Sequence, residues 1–145
     1  MSQFSNLIEY EVPNSKKTYG SVQRNYCLPK CSGEWIIILD DDNLMYGMSL
    51  FQLYKHLESI PSKFDMVRVS IDHEIGRISC HDPWMPGKVD SLSVVFRRRM
   101  IDYVNWDTRP LELGDWDFFN RMKRFSQGLK NIDVLIGVHQ QCLEI

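Results

Sequence analysis

Asp40, Asp41 and Asp42 stand in a row directly after the apolar run Trp35–Leu39. A β-branched run of that kind must stay dry and three carboxylates cannot, so the triplet marks where a strand emerges into water. Three adjacent like charges repel unless a cation or basic group neutralises them, and hard carboxylate oxygens suit Mg2+ or Mn2+. Mg2+ commonly takes one or two carboxylates plus phosphate oxygens, which makes a nucleotide diphosphate the natural companion of such a turn. The alternative is a solvated acidic turn that caps the next helix and favours its N-terminal dipole. Arg24 could steady a phosphate by bidentate pairing, or could pair with one of the three aspartates.

Other residue types are open to two readings as well. Arg97, Arg98 and Arg99 follow an apolar run and could meet phosphates or form a solvated helix start. Trp84, in the turn-rich stretch Cys80–Lys88, could stack on an acceptor sugar or pack down as the anchor of a lid. Cys27 and Cys31 have i, i+4 spacing that a metal could share on a helix. No second Cys/His pair with finger-like spacing follows, so structural thiols are expected there. Trp35, Trp106 and Trp116 are assigned to the core.

The elements that must position these groups alternate along the chain. Asn6–Val12 reads as a strand ended by Pro13, and Ser21–Lys30 as a short helix that Pro29 shortens or kinks. Trp35–Leu39 reads as a strand buried on both faces. A helix is expected over Met48–Ile60, strands over Met66–Ile71 and Ser91–Phe96, a helix over Asp115–Phe125, and a last strand over Ile132–Val138. Strands alternating with helices predict an α/β domain with a mainly parallel or mixed sheet. In open sheets of this class ligands bind at the carboxyl ends of strands, which is where the triplet falls.

Composition sets the bounds. The chain has 145 residues, 43% of them hydrophobic and 25% charged, with 17 basic against 19 acidic side chains. One domain over residues 1–145 is expected, with a core that needs no metal or disulfide staple. A net charge of −2 gives no field that would draw the chain to nucleic acid, and none is expected as a partner. There is no apolar run long enough for a transmembrane segment and no secretory pattern at the start. Four cysteines are too few for a disulfide scaffold, so a cytoplasmic setting is expected.

Several segments, taken in order, carry a resemblance. Arg24-Asn25, then Cys31-Ser32-Gly33-Glu34-Trp35-Ile36, then Leu39-Asp40-Asp41-Asp42, resemble the "RN" helix, the following strand and the DxD motif of family 2-like glycosyltransferases with the GT-A fold. Leu113-Gly114-Asp115-Trp116-Asp117 and the segment after it resemble that family's "G-E-D-W-D" stretch, with Gly114 where the family has Glu. Val134–His139 resembles its late strand ending in histidine. The resemblance implies a truncated, Rossmann-like GT-A mixed sheet flanked by helices.

For individual residues the resemblance implies roles in transfer of a sugar from a nucleotide-sugar donor to a carbohydrate or other hydroxyl acceptor. Asp42 would be the direct ligand of Mn2+ or Mg2+, with His139 completing the shell. Asp40 would lie nearer the ribose while also serving the metal, and Asp41 is the variable middle position. Asp115 would be the catalytic base, with Asp117 as runner-up; both are otherwise acids favouring a helix dipole. Inverting chemistry is likewise implied by the family.

Only 23 residues precede Arg24, too few for the β-α-β-α unit that holds the nucleotide base in the family. A sheet lacking that unit would expose an edge, so self-association into a homo-oligomer is expected. The competing reading is a catalytically inactive remnant that binds a sugar, a nucleotide or a protein. A Mg2+-dependent phosphate-ester hydrolase would need a nucleophile or second metal cluster that the sequence does not offer.

Overall fold

The computed structural model describes residues 8–12, 20–109 and 113–139. Its longest β-branched stretches form the centre of one mixed sheet. The strands are β1 (Trp35–Ile37), β2 (Asn43–Met45), β3 (Met66–Asp72), β4 (Val94–Arg97) and β5 (Leu129–His139), in the order β1-β4-β3-β5-β2. β3 pairs parallel with β5 and antiparallel with β4, while β1 and β2 close the two edges in antiparallel register. Met66 to Ile71 are all buried, as a central strand covered on both faces requires.

Helices cover both faces. α3 (Gly114–Phe125) brings Phe118, Phe119 and Met122 onto Met66, Val94, Phe96, Ile36 and Ile38. The opposite face, with Val67, Val69, Ile71, Val95 and Ile136, receives Leu53 from α2 (Ser49–Glu58). Asp115 and Asp117 in the first turn of α3, with Lys123 and Arg124 in its last, complement the helix dipole. The short α1 (Ser21–Cys27) starts after Gly20, whose φ of +78° suits a residue without Cβ.

The elements follow the expected order in part: β2 was not expected, and the expected strand Ser91–Phe96 begins only at Val94, after a 3₁₀ turn over Ser91–Ser93 that Asp90 caps. Helix α1 gives way to a 3₁₀ turn over Leu28–Lys30 that contains Pro29, which cannot supply the amide that continued α-helix would need. The expected buried strand Trp35–Leu39 is only three residues long and lies at an edge, with Trp35 and Ile37 half-buried. In the expected strand Asn6–Val12, Ile8–Val12 is irregular, and Asn6 and Leu7 lie outside the described residues. Tyr10 there packs edge-on to Tyr26 with the rings 5.8 Å apart, and side-chain contacts replace a strand ladder.

Two details position the site. Gly137 on β5 lies against β2 so closely that a Cβ there would sit 2.2 Å from the Leu44 carbonyl oxygen. Only glycine lets β2 pair at that level, which sets Asn43 directly opposite His139. On β3, Arg68 is buried and donates to the carbonyl oxygens of Asp82 and Lys88. That grip folds the loop over Cys80–Lys88 back onto the sheet.

Candidate active site

The aspartate triplet follows edge strand β1, and the turn it makes is closed by Asn43 N–H donating to the Asp40 carbonyl at 3.1 Å. α1 brings Arg24 to it. One guanidinium nitrogen of Arg24 lies 2.5 Å from Asp40 Oδ1 and the other 4.0 Å from Asp115 Oδ1, while the guanidinium carbon sits 4.6 Å from the centre of the Trp106 ring. Asp40, Asp41, Asp42, Arg24, Asp115 and His139 all line one cleft of about 760 Å³.

A single turn ties these groups together. Asp90 caps the 3₁₀ turn Ser91–Ser93, its Oδ1 accepting from Leu92 N–H at 2.9 Å and its own N–H donating to Ser93 Oγ. Ser91 then serves both acids: its hydroxyl donates to Asp40 Oδ2 at 2.7 Å and its N–H to Asp115 Oδ2 at 3.0 Å. The other oxygen of Asp90, Oδ2, lies 3.2 Å from His139 Nδ1, and His139 Nε2 lies 3.4 Å from Asp42 Oδ2. Hydrogen bonds thus link Arg24, Asp40, Ser91 and Asp115, and the backbone from Ser91 to Asp90 carries the arrangement on to His139, with Asp42 beyond its other ring nitrogen.

Burial pushes the Asp115 carboxyl up from 3.8 to about 6. Arg24 pulls it down, Asp90 and Asp40 push it further up, and the Ser91 amide offsets part of the rise. A carboxyl tuned to that range is suited to take a proton near neutral pH. Asp117 has a different environment. It holds Arg121 one helical turn on, at 2.9 Å, and Arg121 also donates to the Asn105 carbonyl. The structure thus brings Asp115 to the cleft and leaves Asp117 off its lining.

The residues present fit a divalent cation. Asp42 Oδ1 is buried and has no hydrogen-bond partner among the described residues, and Asp42 offers hard oxygen beside a neutral-capable imidazole. Each nitrogen of the His139 ring faces a carboxylate, so an ion can be held on either side of the ring. Asp40 is otherwise occupied, with Arg24 on one oxygen and Ser91 on the other.

Several sequence candidates take structural roles. Trp84 packs against the core, its Nε1–H donating to Asn120 Oδ1 at 3.3 Å and its ring 6.0 Å from that of Trp116. Arg97 pairs with Glu34 and donates to the Phe64 carbonyl; Arg99 holds buried Asp65. Cys31 Sγ lies 3.7 Å from the Cys27 carbonyl oxygen, and burial pushes its thiol up. Sequence reasoning missed Asp90, Ser91 and His73. The spacing Asp90-x-x-Ser93 carried a capping signal; His73 carried none.

A mixed sheet flanked by helices, with an acid-lined cleft beyond its strand ends, is a Rossmann-like α/β fold. Among solved structures, the chain is similar to S. aureus TarS 1-349, at 13% identity and a TM-score of 0.65, over 83% of this chain and 40% of that one. It is also similar to a second S. aureus TarS structure, at 12% identity and a TM-score of 0.62, over 81% of this chain and 24% of that one. This chain therefore spans well under half of either TarS chain. No protein-family model and no curated protein sequence matches it.

Proposed function

We propose that the chain is a metal-dependent glycosyltransferase that moves a sugar from a nucleotide-sugar donor to a hydroxyl acceptor with inversion. The observation that carries this reading is the sharing of one cleft by a carboxyl near pKa 6, at Asp115, and the Asp42–His139 pair. The likeness to TarS, a glycosyltransferase, supports the same class through the fold.

In this reading Asp115 takes the proton of the acceptor hydroxyl as its oxygen forms a bond to the anomeric carbon. The bond from that carbon to the diphosphate oxygen breaks on the opposite face, and the diphosphate leaves with the electron pair. Arg24 steadies the acids and the leaving phosphates, and Ser91 holds Asp40 and Asp115 in register. His139 and the carboxylates that face it would hold a divalent cation, Mn2+ or Mg2+, which would supply charge stabilisation to the leaving diphosphate.

The test is a thermal-shift panel of nucleoside diphosphates with Mn2+ and with Mg2+. At a ligand concentration of 100 Kd, binding adds about 2.7 kcal/mol to stability, which is several degrees for a chain of this size. Asp42→Ala is expected to remove that shift. Stabilisation by nucleotide without any sugar transfer or donor hydrolysis would instead favour a binding remnant.

Among the described residues, edge strand β1 has one unpaired side, and an apolar groove of about 810 Å³, lined by Trp35, Ile37, Phe51 and Tyr54, runs beside it. We read this edge as the contact with a second copy of the chain. Antiparallel pairing of two β1 strands about Ile36 would set Trp35 against the partner's Ile37, which is a self-complementary apolar match. Light scattering on a size-exclusion column should return a dimer mass; a monomer at every concentration would refute it.

A further inference from the structure

His73 stands beside His139. It follows β3, whose Asp72 pairs with Val138 on β5, so the two histidines lie level at the ends of neighbouring parallel strands. Their ring centres are 4.6 Å apart. A ligand atom from each of His73, Asp90 and His139 lies within 4.8 Å of the other two. Ligand atoms at about 2.0–2.2 Å from one ion are about 3–4.4 Å apart, so small side-chain rotations close this set.

We propose that His73, Asp90 and His139 form a divalent metal site that prefers a first-row transition ion such as Mn2+ to Mg2+. The proposal rests on the glycosyltransferase reading only for what the ion is used for; the ligand set stands on geometry. Two imidazoles and one carboxylate favour transition ions, whereas Mg2+ favours oxygen and water.

Three further observations support the site. Asp90 is held rigid by its own capping bonds through Oδ1, which leaves Oδ2 directed at His139. Among the described residues, His73 Nδ1 accepts a long hydrogen bond from Ile75 N–H, at 3.3 Å, so the imidazole can turn to an ion at small cost. Asn43 is 6% exposed, and both its amide oxygen and its amide nitrogen lack hydrogen-bond partners among the described residues. It lies directly opposite His139 in the β2–β5 ladder, where side chains share a face, and it brings a neutral oxygen to the same layer.

The test is Mn2+ binding to the metal-stripped full chain without nucleotide, read from the resonance signal of free Mn2+, with Mg2+ as competitor. The wild type should bind Mn2+ and yield it to Mg2+ only at large excess. His73→Ala should lower Mn2+ affinity about tenfold or more and erase the preference over Mg2+. His73 is on a part-exposed turn, and an unchanged melting curve without metal would show that the variant is folded. Asp90→Asn keeps the helix cap and should weaken Mn2+ binding as strongly. Wild-type Mn2+ affinity in His73→Ala, with loss in Asp42→Ala, would put the ion on the Asp42 side and overturn the proposal while leaving the glycosyltransferase reading intact. Failure of every form to bind Mn2+ would overturn it too. That reading itself then stands or falls on the nucleotide thermal shift.

Discussion

Replacing Asp115 by Asn is expected to abolish sugar transfer and, at neutral pH and above, to make the chain more stable. Asn keeps the shape and still accepts from the Ser91 N–H, but it cannot take a proton. Loss of a positioned general base lowers the rate by about 10²–10⁴-fold. The stability change follows from the carboxyl's pKa, which rises from 3.8 to about 6 on folding. Between those values the folded state holds a proton that the unfolded state has released, so stability falls as pH rises through 6. Above pH 6 the wild type bears the cost of a charged, desolvated Asp115, roughly 1–3 kcal/mol after discounting for its partial exposure.

Urea denaturation at pH 8 and at pH 4.5 reads both signs. The Asn variant should be the more stable protein at pH 8, and the difference should shrink toward zero at pH 4.5. Equal stability at both pH values would contradict the buried, proton-holding carboxyl. In the wild type, transfer should rise with pH through an acid limb near 6, where Asp115 becomes able to accept a proton.

How much of this was legible beforehand follows from the range over which each signal acts. Helix α3 was readable because Phe118, Phe119 and Met122 recur at helical spacing and all pack on one face. The strand before the aspartates was readable only in part: an apolar run meeting three carboxylates signals a strand, yet it ends at Ile37, short of Leu39. Its place in the sheet was not readable, since order β1-β4-β3-β5-β2 is set by long-range pairing that local composition does not encode.

The site divides the same way. Asp40 and Asp42 could be picked out by type and local setting, and Asp115 and His139 through the family resemblance; all four line one cleft. What joins them could not. Ser91 is an ordinary serine in sequence, and it becomes central only when β4 carries its turn to a point between β1 and α3. Asp115 and Asp117 were alike as helix-start acids; Arg121, one turn on, claims Asp117 and leaves Asp115 facing Arg24. His73 reaches His139 only through the parallel β3–β5 register.

Trp106 links the core to the site, and its truncation to Ala is expected to cost about 3–5 kcal/mol. The residue is 3% exposed although it belongs to no helix or strand. Its ring stacks on Phe118 at 3.7 Å and meets Phe119 edge-on at 5.8 Å. Its backbone is pinned to α1 from both sides: Asn25 Nδ2 donates to the Trp106 carbonyl at 2.8 Å, and Trp106 N–H donates to Asn25 Oδ1 at 2.7 Å. Arg24 lies over the outer face of the same ring, a contact worth roughly 0.5–2 kcal/mol that Ala would also remove. Against a total stability of about 5–15 kcal/mol, the loss is large enough to populate unfolded chain at 37 °C. Trp106→Phe separates the two roles, because a smaller ring keeps the stack on Phe118 and a platform for Arg24. Urea midpoints should therefore rank wild type, then Phe, then Ala, with the Phe variant retaining the nucleotide-dependent thermal shift. An Ala variant within 1 kcal/mol of wild type would mean that this loop is not what ties α1 and α3 together beneath the cleft.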